Sequence, residues 1–307
     1  MNADYQEMLT GAIHAQGFNL VGYAPLRPLQ DDAEKLRAWL DASMHAGMDY
    51  LARYFQFRTE PQTLVPGSRS VIALGMNYYN ETDAGDAQRL KIARYASGVD
   101  YHKIIRKKLK QIVRHLKETG GAQVARGFVD SGPVMERVWA REAGIAWNGK
   151  NTLSINPGMG SYFFLACIFT DLEFNCGNPI PDHCGRCRRC IDACPTEAIH
   201  DEGYLLDAGK CISYLTIEHK GEIPDAFRGK WQQWMFGCDI CQEVCPWNRF
   251  SRPTTQTEFQ ASDDRRELDM DSWLNLTEEE FQGRYGQSAL VRKGLGGLQE
   301  TVRFLHK

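Results

Sequence analysis

No stretch of this sequence is apolar for long enough to cross a bilayer; the best candidate, residues 162–169, is only strand-sized. The opening residues, MNADYQE, lack the basic-then-apolar layout of a signal peptide, and no twin-arginine pair stands among them. A cytoplasmic chain without membrane contact is expected. An excess of one charge is missing too: 36 Lys and Arg stand against 39 Asp and Glu, a net charge of −3. Overall charge therefore gives no argument for nucleic-acid binding, which would have to come from a local patch. There is no phosphate loop, no dinucleotide turn after a strand, no metalloprotease motif, no solenoid repeat and no low-complexity tract.

Cysteine, by contrast, is abundant: ten residues, eight of them between Cys184 and Cys245. In a chain without export signals, tight runs of cysteine argue for metal rather than for a disulfide framework. The run Cys184, Cys187, Cys190, Cys194, Pro195 fits C-x2-C-x2-C-x3-C-P, the bacterial ferredoxin pattern, in which three thiolates hold one 4Fe-4S cubane and the fourth reaches another. A second run, Cys238, Cys241, Cys245, Pro246, repeats the end of that pattern but has Met235 where its first cysteine should stand, and Cys211 can supply the missing thiolate. The expected sorting is Cys184, Cys187, Cys190 and Cys245 on one cluster, and Cys194, Cys211, Cys238 and Cys241 on the other. Structural zinc is the alternative, since C-x2-C pairs also make zinc knuckles, but zinc would not need the third cysteine or the following prolines. Cys167 lies in an apolar run and reads as packed; Cys176 reads as equally plain.

A chain of 307 residues is large enough for one main domain and a smaller one. Residues 5–16 read as a helix stopped by Gly17, residues 20–23 as a strand, and Asp31 and Asp32 as N-caps of a helix reaching His45. Residues 70–79 are a buried strand. Residues 100–119 are the clearest helix, with an apolar stripe of Ile105, Leu109, Ile112, Val113 and Leu116 and a basic face that includes Lys103, Arg106, Lys107 and Lys108. That basic face is either a solvated surface or a contact for phosphates. A strand at 123–129, a helix at 133–143 and a strand at 162–170 complete a mixed α+β or α/β domain over 1–175. Residues 176–250 form the ferredoxin-like two-cluster module, and 251–307 a polar linker with a short helical tail. Asp130 follows a strand, where ligands of α/β sheets bind; the plain alternative is that it caps the next helix.

Four stretches carry a resemblance. Residues 129–137 (VDSGPVMER) with 142–151 (EAGIAWNGKN), and 211–221 (CISYLTIEHKG) with 237–249 (GCDICQEVCPWNR), resemble epoxyqueuosine reductases, and the likeness runs from about residue 5 to about residue 250. The sequence ends at Lys307, and a short form without the C-terminal helical-repeat domain of longer members is expected. The resemblance implies a cobalamin in the N-terminal domain and, as substrate, a tRNA (for Asp, Asn, His or Tyr) bearing epoxyqueuosine in its anticodon. The epoxide is reduced to the alkene of queuosine with loss of water. By position, Asp130 matches the family's proton donor, and Arg58, Ala93, Asp130, Ser154, Leu165, Ser213, Asp239 and Ile240 match positions that line cobalamin. A proton donor must hold its proton near neutral pH, so a raised carboxyl pKa is expected for Asp130. The D-x-H-x-x-G motif that binds cobalamin through histidine in other enzymes begins at Asp100-Tyr101-His102 but has Ile105 in place of its glycine. Lys220, Arg186, Arg188, Arg189 and Lys107 are the expected tRNA phosphate contacts, although arginines between cluster cysteines can also balance thiolate charge. A low-potential donor such as flavodoxin or ferredoxin, and a monomeric protein, complete the expectation. The nearest rival is a cobalamin-dependent reductive dehalogenase; the distant one is a ferredoxin-like electron carrier.

Overall fold

The structure is a computed structural model that describes residues 3–81, 89–260 and 269–306. Helix α1 (Ala3–Ala15) buries Leu9 and Ile13, one turn apart, and turns at Gly17, whose φ of +90° suits glycine. Strand β1 (Leu20–Pro25) leads to α2 (Gln30–Asp41), then to three short helices, α3 (Tyr50–Arg53), α4 (Phe55–Thr59) and α5 (Pro61–Leu64). Asp31 and Asp32 do not cap α2. Leu29 holds the cap position without a side-chain bond, and the carboxylate of Asp32 is taken by Arg141 at 3.1 and 2.8 Å.

Strand β2 (Ser70–Asn77) is followed by β3 (Lys91–Ile92) and the long helix α6 (Tyr101–Glu118). Asp100 caps α6 by accepting the backbone N–H of His102 at 3.0 Å, a bond worth about 1 kcal/mol to a helix. Ile105, Leu109, Ile112 and Leu116 recur at helical spacing and are buried. After β4 (Ala125–Phe128), α7 (Glu136–Glu142), β5 (Trp147–Asn148) and β6 (Ser154–Ile155) comes β7 (Phe163–Thr170).

These strands form a four-stranded sheet of order β1-β2-β7-β4, antiparallel at every pairing. The mixed helix and strand content is as expected, in its α+β form. Because every pairing is antiparallel, Asp130 does not sit in the carboxyl-end crevice of a parallel sheet. The two central strands are apolar almost throughout because both faces are covered. Ile72, Leu74, Met76, Phe164 and Ile168 face α1 and α6, while Val71, Ala73, Phe163, Cys167 and Phe169 face α7.

In the cysteine-rich segment lie α8 (Arg189–Asp192), α9 (Ile212–Ile217), β8 (Trp234–Phe236) and α10 (Ile240–Glu243). Beyond it are α11 (Met270–Asn275), α12 (Glu278–Tyr285) and α13 (Gly294–His306). The core does not respect the expected limits at 175 and 250. β3 pairs in parallel with β8. Phe259 is buried against Phe164 within the N-terminal core. Trp273, Phe281, Tyr285, Leu298 and Val302 bury themselves against Met235 and Phe236. The C-terminal segment expected as linker and tail is thus a packed layer over β8, although the polar, charged stretch 261–268 lies outside the described residues.

Candidate functional site

Helix α6 delivers the centre of the site. Its first residues, Tyr101 and His102, reach the loop between β4 and α7, where Asp130 sits with φ +52°, a left-handed backbone that a side chain rarely adopts outside constrained sites. The Tyr101 hydroxyl donates to Asp130 Oδ2 at 2.7 Å, and its ring stacks on Phe164 at 4.1 Å. His102 Nε2 lies 3.0 Å from the same oxygen, and Nδ1 lies 2.7 Å from Asp100 Oδ1. A carboxylate at each nitrogen requires both nitrogens to donate, which is the imidazolium form. Burial alone would lower the His102 pKa, but the two carboxylates overcome it and push the value up to about 9. For Asp130, burial acts to raise the pKa, yet the hydrogen bonds from His102 and Tyr101 outweigh it and hold the carboxyl below its ordinary value. The expectation of a raised Asp130 pKa is therefore corrected: in this geometry the proton rests on the imidazole. Nor does Asp130 cap α7, whose cap position is Met135.

Close by is a carboxyl that sequence reasoning passed over. Glu136 is pushed up to about 8, chiefly by burial, and its Oε1 has no hydrogen-bond partner. It feels the charges of Asp130 and Arg58. Two neighbouring carboxyls driven in opposite directions are a mark of acid–base sites. The signal was present in the motif SGPVMER, but a glutamate at a helix start reads as ordinary there.

Of the positions matched to cobalamin contacts, several converge. Ala93 and Ile240 share an apolar cluster with Ile212, and Ser213 follows on α9. Asp239, almost fully buried, accepts the backbone N–H of Arg94 at 2.8 Å, and burial raises its carboxyl to about 6. Arg58 donates to the Val134 carbonyl at 3.3 Å, beside the Asp130 loop. Leu165 lies partly buried in β7, and Ser154 is buried in β6. Arg58 Nε and Ser154 Oγ are buried without partners. Buried polar atoms are rarely left unpaired. Unpartnered buried polar atoms at Arg58 and Ser154 suit a bound group with polar atoms, and the apolar cluster of Ala93, Ile212 and Ile240 suits a flat macrocycle, so the residues present fit cobalamin.

The cysteines gather in two groups. Cys184, Cys187, Cys190 and Cys245 line one cavity with Lys150 and Trp247. The thiol of Cys190 is pushed up to about 11 by burial and by the neighbouring Cys245, Cys184 and Cys187. Cys238 lies in the field of Cys211 and Cys194, and Cys241 in that of Cys238, Cys211 and Cys190, so the groups adjoin. Among the described residues no three His, Cys, Asp or Glu side chains converge tightly enough for a single ion. A cubane, which spreads its thiolates over four corners, suits the donor set better than zinc. Lys150 Nζ donates to the carbonyls of Gly185 at 2.7 Å and Cys187 at 3.1 Å, and Asn151 donates to that of Cys241 at 3.3 Å. The β5–β6 turn thereby clasps both cysteine loops.

The cations expected to meet tRNA are scattered. Arg188 is engaged with Asp192 and Asp201, while Arg189 lines the cluster cavity. Arg186, Lys107 and Lys220 are exposed. Elsewhere on the basic face of α6, Lys103 donates to Gln287, Arg106 to Ser131 and Lys108 to the Gln16 carbonyl, so part of that face serves the fold.

Comparison with known proteins accords with this geometry. The family model for epoxyqueuosine reductase QueG matches residues 58–131, and that for a 4Fe-4S double cluster binding domain matches residues 183–248. The chain is 47% identical to an epoxyqueuosine reductase of Cyclobacterium marinum, over 94% of this chain and 93% of the relative. It is 43% identical to that of Leadbetterella byssophila, over 98% of both. Against that of Pseudomonas aeruginosa identity is 44%, over 91% of this chain and 78% of a longer relative. A crystal structure of epoxyqueuosine reductase with an epoxyqueuosine-modified tRNA-Tyr stem loop superposes with a TM-score of 0.90 at 28% identity, covering 98% of this chain and 80% of that one. The Bacillus subtilis enzyme, solved with its catalytic aspartate loop swung out of the active site, superposes with a TM-score of 0.89 at 27% identity, over 98% and 81%. The chain belongs to the epoxyqueuosine reductase family, oxidoreductases that work with cobalamin and two 4Fe-4S clusters.

Proposed function

We propose that this chain reduces the epoxide of epoxyqueuosine in a tRNA anticodon to the alkene of queuosine, with Asp130 and His102 delivering a proton to the oxygen that leaves. The observation that carries this reading is the hydrogen-bonded set Asp100–His102–Asp130–Tyr101 at the head of α6. Removing an epoxide oxygen as water takes two electrons and two protons. Arg58, Ala93, Asp130, Ser154, Leu165, Ser213, Asp239 and Ile240 would hold cobalamin, which would supply the reducing centre. The chain's own residues handle the protons. Asp130 Oδ2 accepts from both Tyr101 and His102, so a proton held at His102 Nε2 can pass through Asp130 to a developing alkoxide. Tyr101 fixes the carboxylate's orientation, and Asp100 keeps His102 charged. The second proton is available from Glu136, whose carboxyl is protonated near neutral pH.

In this reading Cys184, Cys187, Cys190 and Cys245 hold one cluster, and Cys194, Cys211, Cys238 and Cys241 the other. A low-potential flavodoxin or ferredoxin feeds them, the chain acts as a monomer in the cytoplasm, and Lys220 contacts tRNA phosphate. The test is an anaerobic assay of the protein reconstituted with iron, sulfide and cobalamin, using a low-potential reductant. Conversion of epoxyqueuosine to queuosine in the digested tRNA, seen by mass spectrometry as loss of one oxygen, supports the reading. Dehalogenation of organohalides with no change in the tRNA overturns it.

A further inference from the structure

Among the described residues, Tyr50, Tyr54 and Phe57 are exposed at 38%, 41% and 39%, all on the α3–α4 segment. Exposed rings this close together add little to the fold. The inward side of the segment already has its anchors: Arg37 lies 4.1 Å over the Phe55 ring, Thr59 is buried, and Arg58 reaches the Val134 carbonyl. The rings of Tyr54 and Phe57 lie near-parallel on the outer side, with centroids 6.4 Å apart and planes 24° apart. Arg58, on the same segment, reaches the Val134 carbonyl beside the Asp130 loop, so the aromatic surface adjoins the reacting carboxyl. Arg53 stands exposed within it and makes no ion pair among the described residues. Aromatic rings interleaved with a cation, bordering a reacting carboxyl, form a surface for single-stranded nucleic acid.

We propose that Tyr50, Tyr54 and Phe57 form a stacking platform for the unpaired bases that flank the reacting nucleoside of an RNA loop, with Arg53 at the adjoining phosphate. The inference rests on the tRNA reading above and adds the surface that completes it. A nucleoside that enters a protein pocket leaves its neighbours without a stacking partner, and rings at the pocket mouth replace what they lose. Each base stacked on an aromatic ring strengthens binding by about 5- to 150-fold.

The test compares the cluster-loaded wild type with Tyr54→Leu/Phe57→Leu, a change that keeps apolar bulk but removes both rings. The probe is an unmodified anticodon stem-loop RNA, followed by fluorescence anisotropy and by 2-aminopurine placed beside the wobble position. The variant is expected to bind at least about tenfold more weakly and to lose the 2-aminopurine quenching seen with wild type. Tyr54→Phe, which keeps a ring, should bind as wild type does. Wild-type affinity and quenching in the double variant, with iron content unchanged, would overturn the platform. So would unchanged RNA binding together with slower cluster reduction by reduced flavodoxin, which would make this a protein-docking face. Wild-type turnover on epoxyqueuosine tRNA is read separately: its absence strikes the function itself, whereas its presence beside a fully binding variant strikes only the platform.

Discussion

His102 and Asp130 share one proton across 3.0 Å, and because Asp100 holds the other ring nitrogen at 2.7 Å, that proton resides on the imidazole. The pair has a defined pH signature. His102 is raised from 6.5 to about 9, so the stability it contributes is complete below about 6.5 and is lost as pH rises through about 9. Asp130 is lowered from 3.8, so its contribution is present above that value and is lost as pH falls through the folded pKa. Turnover limited by proton delivery should hold across neutral pH and fall on the alkaline side, first near 8 as Glu136 loses its proton and again near 9 as His102 does. NMR titration of the His102 ring tests the assignment directly. A midpoint near 6.5 would leave the shared proton without support.

Replacing Asp130 with Asn keeps the shape of the loop but removes one of the two charges that hold the His102 proton. Cluster content and cobalamin absorbance should match wild type. Turnover should fall by about 10²- to 10⁴-fold, the range of general-acid contributions. The His102 midpoint should drop, since only Asp100 still supports it. Near-normal turnover would remove Asp130 from the proton path.

Much of this arrangement was legible in the residues, and what was hidden has physical reasons. The stripe of Ile105, Leu109, Ile112 and Leu116 announced α6 because helical spacing is local information. The spacing of the two cysteine runs is local in the same way, whereas Cys211 joins the second set only by the count of four plus four. The direction of the Asp130 shift was not legible, since it depends on two side chains 28 and 29 residues away that only the fold brings near. Asp32 reads as a cap, but its partner Arg141 lies 109 residues on. The C-terminal segment reads as a polar linker and tail because Phe259, Trp273, Phe281 and Tyr285 are isolated among charged residues, and only the packed layer over β8 shows their purpose. Glu136 was passed over because burial, which gives it its character, leaves no trace in a motif.

Glu136 supplies a further test. As a protonated carboxyl with an unpartnered oxygen, it is close in form to the neutral amide of Gln. Glu136→Gln should fold and bind both cofactors as wild type does, because no buried charge is lost. If Glu136 delivers the second proton, turnover should fall by about tenfold or more, and the pH profile should lose an inflection near 8. Wild-type turnover with an unchanged profile would assign that proton to solvent.

Gly237 joins β8 to the loop of Cys238. Its φ is +67°, and a Cβ placed there would lie 2.5 Å from the Cβ of Ala93. Gly237→Ala meets strain and collision at once, for a cost of about 1–3 kcal/mol. The melting midpoint should fall by several degrees, and cobalamin affinity should fall with it, since Ala93 is one of the positions matched to that cofactor. An unchanged midpoint would mean that the β3–β8 pairing yields easily.

Cys211 is the strictest test of how the thiolates are sorted, because it stands outside both runs and only the count of four plus four recruits it. It lies near Cys194 and Cys238, at the N-terminal end of α9. The Cys184 cavity is lined instead by Cys187, Cys190 and Cys245. Cys211→Ser should therefore alter one cluster alone. Iron content should fall by no more than half, and electron paramagnetic resonance should retain one cluster signal while the other shifts or vanishes. Ala93 and Ile240 share their apolar cluster with Cys211, so cobalamin reduction should slow even while the remaining cluster still accepts electrons. Unchanged iron and spectra would show that a different ligand completes the second cubane.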